Sequence, residues 1–127
     1  MRVQVDKIIS DNSDIIVCFS SDFGCAKAYW KGKEPSVNSN YQVEVDIDHT
    51  LMWGKEVLFE ENSKPNIQQK NDQIFVTGCI DSIDEDGYTV LRLDDSIIPF
   101  LTIGEPYQVG AHVRLCTKLI TLYPVDY

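Results

Sequence analysis

Apolar and polar residues alternate along this chain with a period of two far more often than with the period of a helix. The clearest case covers residues 41–48, where Val43, Val45 and Ile47 mark one face and Glu44, Asp46 and Asp48 the other. Successive side chains of a strand point to opposite faces, so this segment predicts a half-buried strand with an acidic outer row. Val3, Val5 and Ile8 open a similar run near the start. Residues 15–19, 25–31, 74–83, 88–93 and 97–101 carry further strand signals, rich in β-branched and aromatic side chains. Pro99 within one of these runs argues for a sheet edge or a bulge, because proline cannot donate to a ladder. Residues 112–123 read as one long final strand.

The punctuation between the runs is that of turns. Asp11, Asn12, Ser13 and Asp14 form one cluster, residues 20–24 a second, and Asp84, Glu85, Asp86 and Gly87 a third, with a glycine suited to positive φ. Residues 48–61 hold two short apolar pieces and have room for one short helix, which Gly54 in the middle disfavours. Residues 60–72 are polar, include Pro65 and Asn66, and read as a linker.

The two halves resemble each other. Ile8, Ser10, Asp14, Asp22 and Gly32 recur in kind at Ile80, Ser82, Asp86, Asp94 and Gly104, and Val43, Val45 and Trp53 meet Val113, Leu115 and Tyr123 at a slightly shorter shift. Such a period suggests a duplicated small β unit. The expected organisation is a first β repeat over 1–59, a polar linker over 60–72 and a second β repeat over 73–127. The expected fold class is all-β, either two tandem OB-like or SH3-like small barrels or one merged β-sandwich.

Charge narrows the partners. Among 127 residues, 20 are Asp or Glu and 11 are Lys or Arg, a formal net charge of −9. Phosphate-rich ligands are bound by basic footprints, so nucleic acid and anionic membrane surfaces are not expected partners. A basic protein is, since opposite charge steers encounter. Cys18, Cys25, Cys79 and Cys116 lack the paired spacing of zinc or redox motifs and three lie in strand-like runs, which suits free thiols in a reducing cytoplasm. A Cys18–Cys25 disulfide across a hairpin is the alternative. No targeting segment or apolar run of membrane-spanning length is visible, so a cytoplasmic location is expected.

Enzymatic groupings are not apparent. His49 and His112 have no nucleophile motif beside them, and the two glycines of 104–110 lack the Lys-Ser/Thr pair of a phosphate loop. The acidic turn at 81–87 lacks the later bidentate glutamate of a calcium loop. Neither catalysis, nor a cofactor, nor a metal is expected. The carboxylates remain: Glu44, Asp46 and Asp48 on one strand, Glu60 and Glu61 after an apolar piece, and Asp84, Glu85 and Asp86 in a turn. Together with Trp53 as an aromatic anchor, they form the candidate partner-binding set.

The second half, from Val76, Thr77, Gly78 and Cys79 through Tyr88 to Leu93 and on to Val113, Arg114 and Leu115, resembles bacterial OB-like β proteins. In size, acidity and architecture, the whole chain resembles immunity proteins of contact-dependent growth inhibition and polymorphic toxin systems. That resemblance implies a cytoplasmic protein that binds one cognate toxin, often a basic nuclease, and blocks it. It carries no residue roles across.

Overall fold

The computed structural model of the chain describes residues 1–11, 13–61 and 64–125, with the backbone alone at 10 and 11. The expected turn at 11–14 includes Asn12, which lies outside the described residues, as do Asn62 and Ser63 of the polar stretch. Among the described residues there is no helix. The strands are β1 (Arg2–Asp11), β2 (Asp14–Ser21), β3 (Gly24–Trp30), β4 (Asn40–Asp46), β5 (Leu51–Met52), β6 (Val57–Phe59), β7 (Asn66–Lys70), β8 (Gln73–Ile83), β9 (Tyr88–Leu93), β10 (Ser96–Ile103), β11 (His112–Thr117) and β12 (Thr121–Pro124). The fold is all-β, as the alternation predicts. The short helix for which 48–61 had room does not form; β5 and β6 occupy that segment.

Five strands close a barrel. β1 pairs with β2, β2 with β3, β3 with β12, β12 with β4, and β4 with β1, all antiparallel except β3 and β12. Closure leaves these strands without a free edge. The second half repeats the plan. β8 pairs with β9 and β9 with β10; β10 runs parallel to β5, and β11 lies antiparallel to both β8 and β6. Here the closing segment is broken into β5 and β6 by a turn at Gly54, whose φ is 86°, with Trp53 bridged to Val57.

The order of pairing shows an exchange. The segment that follows β4 in the chain closes the second ring, and β12, which follows β11, closes the first. The residues expected to form one long final strand are therefore two strands. Their break at 118–120 carries the chain from one ring to the other, just as 47–50 carries it the opposite way. The two crossings meet where the Thr121 hydroxyl donates to an Asp48 carboxylate oxygen at 3.2 Å. Leu122, Val17, Phe19 and Val45 of the first ring belong to the same buried cluster as Leu51, Val57, Leu91 and Leu115 of the second.

The polar stretch 60–72 is not a free linker. Its residues 66–70 form β7, which pairs parallel to β3 and antiparallel to β8 and so joins the two rings into one sheet. Ile67 is the buried residue of that strand. Gly24 permits the junction: its φ is 135°, and a Cβ there would overlap the Ile67 carbonyl oxygen.

The register between halves differs from the sequence match. Each ring has a bulge in its first strand. Before it, Val5 faces Phe19 in one ring and Ile80 faces Leu91 in the other. Val5 therefore corresponds to Ile80, and Ile8 to Ile83 instead of Ile80. The two-residue turns at Asp22–Phe23 and Asp94–Asp95, in contrast, correspond as the sequence suggests.

Candidate protein-binding groove

β4 delivers its carboxylates as the alternation requires. Val43, Val45 and Ile47 are buried, Glu44 and Asp48 are exposed, and Asp46 is half-buried. β4 is held on one side by β1 and on the other by β12, where Tyr123 stands opposite Glu44 and Thr121 opposite Asp46. β1 reaches residues 40–42 and β12 residues 43–46, so Glu44 and Asp46 are carried on the ladder to β12.

The start of β10 faces this row across a groove of about 560 Å³. Gln42, Glu44, Asp46 and Tyr123 line it from β4 and β12, and Asp95, Ile97 and Pro99 from the β9–β10 turn and β10. Three acidic residues thus line one cleft, Glu44 and Asp46 on one side and Asp95 beside Ser96, Ile97 and Pro99 on the other. The Met1 amino group also lines it, donating to the Val43 carbonyl at 2.9 Å. Burial pushes that amine below its usual pKa, against the opposing pull of Asp95 and Glu44.

Asp46 is the electrostatically perturbed carboxyl of the groove. Its pKa is raised above the ordinary value, first by a hydrogen bond with the Asp48 carboxyl, then by burial and by the Asp48 charge; the Ile47 backbone opposes these. Two carboxyls this close resist simultaneous ionisation, and a cation placed between them relieves the repulsion.

The other expected site residues lie elsewhere. Asp84 works within its turn, its carboxylate accepting from the backbone N–H groups of Asp86 and Tyr88, each at 2.9 Å. Glu85 and Asp86 are exposed beside it. This turn and the Asp94–Asp95 turn sit at opposite ends of the β9–β10 hairpin, a separation of roughly 17 Å at about 3.4 Å per residue. Glu60 lies 3.9 Å from the Arg114 guanidinium, and Glu61 follows it on the surface. Trp53 is 7% exposed and packs edge-on against Tyr107, with ring centroids 5.1 Å apart. It is a core residue here, because the closing β5–β6 segment turns inward at that point. The structure therefore brings together Glu44, Asp46 and Asp48 but not the remaining set. It adds Asp95, Ile97, Pro99 and Tyr123, which only the contact between β10 and β4 reveals.

Comparison with protein-family models, curated proteins and solved structures finds no match to this chain.

Proposed function

We propose that this chain is an OB-like binding protein that holds a basic protein partner in the groove between β4, β12 and β10, and that it acts as an immunity protein against a basic toxin domain. The observation that carries the reading is the convergence of Glu44, Asp46 and Asp95 on one cleft. Carboxylates in a concave, partly desolvated site attract guanidinium and ammonium groups more strongly than the same charges on a convex surface. The raised Asp46 pKa supports it, since a bound cation relieves the Asp46–Asp48 repulsion. Such a protein neutralises its partner by occupying the cationic surface where a phosphate-bearing substrate would bind. A nuclease domain fits that description.

The test starts from the reading frame immediately upstream of this gene, which this reading expects to encode a basic toxin domain, and co-expresses it with this chain. The native chain is expected to protect the cell, and the triple variant E44K/D46K/D95K is expected not to. Undiminished protection by a folded triple variant would place the interface elsewhere and end this reading.

A further inference from the structure

The outer face of β10 carries a row of apolar side chains that the acidic reading leaves unused. Ile97, Leu101 and Ile103 are 57%, 47% and 51% exposed, while Ile98, Phe100 and Thr102 between them are buried. Pro99 completes the row and is half-buried. Tyr88 stands directly opposite Leu101 on β9, and Met52 opposite Ile103 on β5; both are exposed. Isolated exposed aliphatics are ordinary, but a contiguous row on one strand with aromatic and thioether neighbours is the signature of a binding face.

The first ring supplies an internal control. The turns at 22–23 and 94–95 correspond, so Ile97 and Pro99 are matched by Cys25 and Lys27 on β3. The corresponding strand, which pairs with β2 and β12 as β10 pairs with β9 and β5 and additionally meets β7 at Cys25, thus presents a thiol and an ammonium where β10 presents aliphatic groups. The barrel plan does not demand the apolar row.

The row also runs into the groove. Ile97 and Pro99 form the wall that faces Glu44 and Asp46. A second copy of this chain is a poor occupant, because pairing two such faces would bring Glu44, Asp46 and Asp95 of each copy together under a net charge of −9 per chain.

We propose that the groove's occupant is an amphipathic segment of a basic protein, with Arg or Lys side chains directed at Glu44, Asp46 and Asp95 and aliphatic side chains laid along Ile97, Pro99 and Leu101. This rests on the basic-partner reading above and specifies the chemistry of the segment. Charge sets the orientation and the encounter rate, and the aliphatic contact slows dissociation. Of the recurrent peptide-recognition modes, this is an amphipathic segment laid in a groove.

The experiment compares two probes by titration on isotope-labelled protein: hexa-arginine, and a peptide with the same number of arginines interspersed with leucine. The mixed peptide is expected to bind at least about tenfold tighter, shifting the amide signals of residues 97–101 as well as 42–46. The variant I97S/L101S alters exposed side chains only. It is expected to erase the advantage of the mixed peptide, lowering the affinity of that peptide at least about tenfold more than that of hexa-arginine. Equal affinity of the two probes, or an advantage that survives in I97S/L101S, overturns the inference while leaving the acidic reading intact. Failure of both probes to bind removes both. A dimer of the native chain in sedimentation, abolished by I97S/L101S, would assign the face to a second copy and also overturn the inference.

Discussion

The Thr121 hydroxyl donates to an Asp48 carboxylate oxygen at 3.2 Å across more than seventy residues of chain, and the Asp48 carboxyl in turn raises the pKa of Asp46 at the end of β4. One small polar cluster therefore joins the acidic row, the crossing that leaves the first ring and the crossing that returns to it. The repulsion between the Asp46 and Asp48 charges has a consequence for stability.

The Asp46 pKa is higher in the folded chain than its ordinary value of 3.8. Just above 3.8 the folded state keeps a proton that the unfolded state has lost, so stability falls as pH rises through the window up to the folded pKa, then levels off. D46N keeps a hydrogen-bonding partner for Asp48 without the second charge. It is expected to be more stable than the native chain at neutral pH and to lose less stability between pH 4 and 7. Urea unfolding at the two pH values measures this. A D46N protein less stable than the native chain at neutral pH would contradict it.

The exchange of closing strands couples the rings. Leu122 of β12 is fully buried in the first ring. L122A is expected to cost about 2–5 kcal/mol, the range for a large-to-small core change. Because each ring borrows its last strand from the other, unfolding is expected as one transition. Single-tryptophan variants retaining Trp30 or Trp53 report the two rings separately, and both should show the same midpoint, lowered together by L122A. Separate midpoints would show that the rings unfold independently.

Gly24 sets the junction between the rings. G24A places a Cβ against the Ile67 carbonyl in a backbone conformation with φ of 135°, so a loss of about 1–3 kcal/mol is expected. Alanine at Gly110, which has positive φ but no atom within 4 Å of a Cβ, is the control. It carries the backbone strain without the collision and is expected to cost less.

All four cysteines are free. Cys18 faces Lys27 and Cys25 faces Ser20 across β2 and β3, so the two thiols are not opposite one another. Cys25 is the exposed one. Thiol titration of the native chain is expected to label Cys25 first and all four after unfolding without reductant. Recovery of only two thiols on unfolding would indicate a disulfide.

Much of this was legible locally, and the reason is periodicity. Val43, Val45 and Ile47 alternate with acids because one side of β4 is core and the other is solvent, and that difference is written residue by residue. The turns at Asp22 and Asp94 were legible for the same reason, since a two-residue turn constrains its own residues. β7 was not, because Ile67 is its single buried residue and four polar neighbours disguise the strand. The exchange was not legible either. Leu51-Met52 and Thr121–Pro124 reveal that they are apolar and extended, but nothing in them says which ring they close. Asp94 and Asp95 read in the sequence as one acidic turn cluster among several, and only the packing of β10 beside β4 sets Asp95 in one groove with Glu44 and Asp46. Trp53 suggests an anchor by residue type, whereas in the fold it packs in the core against Tyr107.

Position in the groove, and not total acidity, is proposed to govern binding of a basic partner. Titration of hexa-arginine against two double variants of equal charge change, E44K/D95K in the groove and E85K/D86K in the distant turn, tests it most directly. The groove variant is expected to bind at least about tenfold more weakly than the native chain, and the turn variant within about twofold of it. Equal weakening by both variants would contradict the claim.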